Sequence, residues 1–178
     1  MNALHARLFA LLCAILGAAA LRLVPHPPNF APIGAMALFS GAYLGRRALA
    51  FVAPLGALLL SDAIIGFYAG MAFVYVSVAL IVLIGWAVSA RISPLRIGGA
   101  AISGSVVFFV LTNFGTWLSS GMYPHTISGL AACYVAAIPF FQNTVAGDLV
   151  YAALLFGGFA LLEGAIPKLR DAGKPQPA

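Results

Sequence analysis

Two carboxylates stand inside otherwise apolar runs of this chain, Asp62 in LLLSDAII and Asp148 in NTVAGDLVYA. A charge in hydrocarbon is expensive, so such residues mark either a binding site or an internal partner. Around them the sequence supplies one isolated cation, Arg22, the amides Asn29, Asn113 and Asn143, and two histidines that each follow a proline, His26 and His125. This set suits recognition: carboxylates pair with cationic or N–H groups and amides fix orientation. Phe30, Trp117, Tyr123 and Phe141 are placed to stack on or cover a ring. Trp117 and Tyr123, with Tyr134, also fit an aromatic belt at a membrane interface. Two His and two Asp at these separations do not form a metal motif, and each histidine reads as a loop side chain bonded to backbone rather than a metal ligand. The chain has no GxxxxGK[ST], HExxH or GxSxG. The expectation is a binding protein with no metal, no cofactor and no covalent chemistry.

The elements that must position these groups are membrane spans. Of 178 residues, 63% are hydrophobic and 7% charged, with a mean hydropathy of +1.06, against about 45–50% and 25% in soluble domains. Apolar runs fall at about 4–24, 31–45, 47–68, 71–90 and 96–119, with a long last segment from about 131. Pro139 and the QNT at Gln142–Thr144 divide that last segment into a helical approach and a final span over about 143–165. The reading is an all-α bundle of about six transmembrane helices, one domain over 1–167 with a polar tail at 168–178. The second run is short for a span, which calls for tilt, partial re-entry or shielding by neighbours. Cys13 and Cys133 lack CxxC spacing and read as buried structural thiols.

Basic residues set the orientation. Arg7, Arg46, Arg47, Arg91, Arg96, Lys168, Arg170 and Lys174 fall on alternate sides of six spans, and only Arg22 falls on the other side. The positive-inside rule puts both termini in the cytoplasm, for a multi-pass protein of the bacterial inner (plasma) membrane. Scattered basic residues between apolar runs exclude a nucleic-acid surface; the lipid bilayer is the partner they imply. The first segment resembles a secretory leader at its start, yet its apolar character continues through Val24, long enough to span. It carries Ala6, Ala10, Ala14 and Ala18 every four residues, a small-residue stripe for close helix approach, either within the chain or to a partner.

With this topology Asp62 lies about 22 Å along its helix from the inner side, and Asn113 is similarly deep. Asp148 lies about one and a half turns into the final span, below Gln142, Asn143 and Thr144. All of them fall in the outer half, which implies a pocket opening outward. The first outer loop, RLVPHPPNFAPIG at 22–34, is stiffened by proline and short of backbone donors, as a lid over such a pocket would be. A third outer loop running from Trp117 to Leu149 is its expected counterpart, so that both Pro-His pairs hang over one cavity.

The segments PHPPNFAPIGAMALFSGAYLG (25–45), TNFGTWLSSGMYP (112–124) and GLAACYVAAIPFFQNTVAGDLVYAALLFG (129–157) resemble a family of small bacterial integral membrane proteins assigned to transport. That family is similar in organisation to the substrate-binding S components of energy-coupling factor (ECF) transporters. The resemblance implies a six-helix bundle that captures a vitamin-like small molecule and works with a transmembrane coupling subunit and its ATPases. It also implies that the Ala6, Ala10, Ala14, Ala18 stripe meets that coupling subunit. The function expected is a substrate-binding subunit for a small nitrogenous nutrient. The alternatives are a self-contained proton-coupled transporter using Asp62 or Asp148, and a membrane enzyme or assembly factor.

Overall fold

The computed structural model describes residues 2–45 and 47–170. Arg46, Lys174 and the tail beyond residue 170 lie outside the described residues. Six helices follow one another: α1 (Ala3–Ala20), α2 (Ile33–Leu44), α3 (Leu49–Ile65), α4 (Met71–Val88), α5 (Pro94–Ser119) and α6 (Ile127–Ala165). No strand occurs among the described residues. Local chemistry sets several boundaries. Asn2 accepts from the His5 N–H at 2.9 Å to start α1, and Thr126 accepts from the Gly129 N–H at 3.1 Å to start α6. Pro94 opens α5 where a missing N–H costs nothing. The helix extended by the turn at 21–23 (Ala3–Leu23), α4, α5 and α6 are each long and apolar enough to cross a membrane. Their number and character are those of a multi-pass membrane protein.

The short helix α2 is the hub. It rises only about 18 Å, packs against all five other helices, and buries ten of its twelve residues. Shielding by its neighbours is therefore how so short an apolar segment is accommodated. A helix apolar on every face belongs inside a protein rather than at its edge. Its closest neighbour is α4, where Gly41 and Gly85 bring the two backbones into contact. A Cβ on Gly41 would lie 2.0 Å from the Val82 carbonyl oxygen, and one on Gly85 would lie 2.2 Å from that of Leu38.

The last segment departs from the sequence expectation. Rather than a helical approach and a separate span from about 143, the chain runs as one helix over Ile127–Ala165, through Pro139 and a π-helical turn at Ala153–Gly157. The proline costs only the hydrogen bond to the Val135 carbonyl, and both residues sit on the exposed side of α6, where a helix can open slightly without disturbing its packed face. The connection from α5 is consequently residues 120–126, not a loop from Trp117 to Leu149. Asp148 lies about 32 Å along α6 from its start, much deeper than one and a half turns. It is level with Ser105 near the middle of α5, so the outer-half placement is corrected to mid-bundle for this residue.

At one end of the bundle Arg7 is buried and bonds both the Glu163 carboxylate and the Leu169 carbonyl. Its guanidinium also lies 5.7 and 5.3 Å from the ring centres of Tyr43 and Phe159. These contacts dock the turn Pro167–Leu169 onto α1, so the chain stays packed to Leu169, two residues into what composition marks as tail. The alanine stripe turns toward the bundle. Ala18 is buried, Ala10 and Ala14 pack against the core and Ala6 is partly buried, while Phe9, Cys13 and Leu16 face outward.

Candidate functional site

At the opposite end, where α1 and α3 finish and α4 begins, a cavity of about 630 Å³ descends to the N-terminus of α2. The RLVPHPPNFAPIG loop forms one wall. It contributes Arg22, His26, Asn29, Ala31, Ile33 and Gly34 to the lining, and turns at Asn29, whose φ of 61° an asparagine tolerates better than most residues. Asn143 pins the loop by donating to the Pro28 carbonyl at 3.0 Å. Phe30 leans on Tyr151, with ring centres 5.7 Å apart, and Gly147 leaves room for the loop backbone to pass α6.

Asp148 forms the floor. It is 3% exposed, accepts from Ser105 Oγ at 2.6 Å and takes a backbone hydrogen bond from Ala35 in the first turn of α2. Gly34 makes this possible, because a Cβ there would lie 2.4 Å from Asp148 Oδ1. A carboxylate at a helix N-terminus meets free N–H groups and the positive end of the helix dipole. No arginine, lysine or histidine pairs with Asp148 among the described residues.

Asp62 has a different environment. It is 0% exposed, lies beside the cavity rather than on its lining, and its Oδ1 is 2.9 Å from Arg22 Nη2. That oxygen has a charge partner but no hydrogen bond, while Oδ2 accepts from Tyr75 at 3.0 Å. Arg22 also donates to Ser61. The cluster ties the end of α1 to α3 and α4. In the α3–α4 connection, Tyr68 lines the cavity, and its phenol is pushed above its ordinary range first by burial, then by the nearby Asp62 charge.

Of the residues the sequence singles out, Arg22, His26, Asn29, Asn113 and Asp148 share the cavity. Phe30, Asp62 and Asn143 stand behind it as supports. Phe141 packs on Phe109, with ring centres 4.7 Å apart, and is off the lining. The second Pro-His pair does not cover the cavity. Trp117 Nε1 donates to the Pro124 carbonyl at 3.0 Å, His125 Nε2 lies 3.1 Å from the Trp117 carbonyl oxygen, and the two rings meet edge-on. This closes the 120–126 connection on itself, with Tyr123 partly buried in it. The sequence reading missed Tyr68, Thr112, Thr116, Phe108 and Phe140 on the lining, and Ser105 and Tyr75 behind the two carboxylates. Thr112, Asn113 and Thr116 recur at helical spacing in an apolar run, which is a legible signal; Ser105 is hidden in the glycine-rich GAAISGS.

No curated protein and no solved structure matches the chain. A family profile described as a family of unknown function does match, over residues 2–169, nearly all of the structure just described. The chain therefore belongs to the family of unknown function DUF6580.

Proposed function

We propose that this chain is a membrane-embedded, S-component-like substrate-binding subunit for uptake of a small vitamin-like or nitrogenous nutrient. It sits in the bacterial inner (plasma) membrane with both termini in the cytoplasm, so that the Arg22 end opens outward. The observation that carries this reading is the cavity of about 630 Å³, within the 300–1,000 Å³ usual for small-molecule sites and closed below by the buried hub α2. The cavity at the Arg7 end is about 230 Å³, and the apolar core of α2 separates the two. One large cavity on one side suits capture better than unaided passage. Energy would come from an ECF coupling subunit and its ATPases, and the chain would perform no covalent chemistry.

Native mass spectrometry of gently purified protein tests the reading. One small metabolite per chain, released unchanged, is the expected result; turnover of a bound molecule to product would replace capture with catalysis. Asp148, a buried carboxylate with no cation partner among the described residues, favours one second reading, a proton-coupled transporter. Proton-dependent substrate flux by the pure protein in liposomes would establish it in place of capture.

The orientation has its own test. Reporter fusions after Arg47, after Arg96 and at Ala178 are expected to report cytoplasm, and fusions near Pro27, Gly70 and Tyr123 the other side, because eight of nine basic residues lie on one side. A C-terminal reporter outside the cytoplasm would turn the cavity inward.

A further inference from the structure

The threonine hydroxyls on the cavity lining offer acceptors only. Thr112 Oγ1 donates to the Phe108 carbonyl, Thr116 Oγ1 to that of Thr112 and Thr144 Oγ1 to that of Phe140, each back along its own helix. A hydroxyl has one proton, so each of these has only acceptor lone pairs left. Asn113 spends one amide N–H on the Phe109 carbonyl at 2.7 Å, which leaves its second N–H as a donor and its Oδ1 as an acceptor. Asp148 below them accepts only, when ionised. The side-chain donors on the lining are Arg22, His26, Asn29, Tyr68 and the second Asn113 N–H, and the first N–H groups of α2 at Ile33 and Gly34 face the Asp148 carboxylate; Arg22 is already committed to Asp62 and Ser61.

Resting on the capture reading above, we infer that the ligand is a protonated amine whose ammonium group sits against Asp148 and the Thr144 hydroxyl one turn away on α6. The charge count agrees. Asp62 is balanced by Arg22, so the ionised floor keeps one negative charge, offset in part by the α2 N-terminus, and one cation completes it. An ammonium brings up to three donors and no acceptor, the complement of a carboxylate beside a hydroxyl whose proton is already spent. The rest of the ligand is apolar or aromatic, because Phe108, Phe140, Val74 and Ile65 supply the other walls and aromatic faces attract cations. A bare sodium ion would use the acceptors but leave that apolar volume empty.

The test compares phenethylamine with 2-phenylethanol, phenylacetate and sodium chloride as probes on the detergent-purified protein, by thermal shift and equilibrium binding. Phenethylamine is expected to raise the melting temperature and to bind at least tenfold more tightly than the neutral alcohol, with phenylacetate inert. Asp148→Asn, which keeps the shape and can still accept from Ala35, is expected to lose at least tenfold in amine affinity. Lowering the pH is expected to weaken the amine, since a protonated Asp148 no longer offers a charge; His26 lies on the same lining, with Arg22 and Asp62 at its edge, so this loss must vanish in Asp148→Asn. Equal binding of alcohol and amine, stabilisation by sodium alone, or no binding of the amine would each overturn the inference, and all three are read on the native protein even if the variant fails to fold. A neutral or acidic metabolite found by native mass spectrometry would sink the amine while leaving capture intact; no bound metabolite and no probe binding would sink both.

Discussion

Gly85→Leu is expected to give no monodisperse protein, and Gly85→Ala to lower the melting temperature by roughly 6–12 °C, as a cost of about 3 kcal/mol would in a chain of this size. The added Cβ would meet backbone, 2.2 Å from the Leu38 carbonyl oxygen and 3.0 Å from its carbon, and backbone cannot rotate away as a side chain can. Relief requires α2 and α4 to separate, and α2 touches every other helix, so the strain spreads through the bundle. Gly41→Ala meets the Val82 carbonyl oxygen at 2.0 Å from the other side of the same crossing and should behave alike. Gly56→Ala and Gly98→Ala are the controls. Nothing lies within 4 Å of a Cβ at either position, so a helical alanine there should be neutral or stabilising by up to about 1 kcal/mol. Size-exclusion profiles and thermal melts in one detergent decide the matter; glycine variants at the crossing that melt like the controls would show the contact to be loose.

Arg22→Ala is expected to destabilise by about 3–5 kcal/mol, the usual cost of removing one partner from a buried ion pair. Asp62 is 0% exposed, so without Arg22 its charge keeps only the Tyr75 hydroxyl. Asp62→Asn should cost less, because the Arg22 side chain is 10% exposed and its charge can reach water. The double variant Arg22→Met with Asp62→Leu should recover most of the loss, since apolar replacement of a buried pair is often neutral or better. Single and double variants of equal stability would show that the pair is uncoupled. This cycle also separates the two carboxylates: changes at Asp62 should move stability, changes at Asp148 ligand affinity.

The sequence by itself determined the class of molecule. Its apolar runs are long, its charges few, and no polar group can face lipid unpaired, so an all-helical membrane bundle follows from composition and spacing alone. It also picked out polar groups that the fold gathers around one cavity, because an Asp or Asn within an apolar run needs an internal reason to be there. Arg22, Asn113 and Asp148 do meet at one cavity. What composition could not carry is which polar group answers which. Asp62 and Asp148 look equivalent in sequence, and only packing gives Arg22 and Tyr75 to one and the α2 N-terminus and Ser105 to the other. Pro139 misled the reading for a related reason: a proline breaks an isolated helix, but a packed one holds its course when the lost hydrogen bond faces outward. The depth of Asp148 depended on that single point. The fate of α2 was likewise decided in three dimensions, because a 12-residue apolar helix is too short to span, and only its five neighbouring helices, each longer than it is, can keep its ends and its glycine face out of lipid.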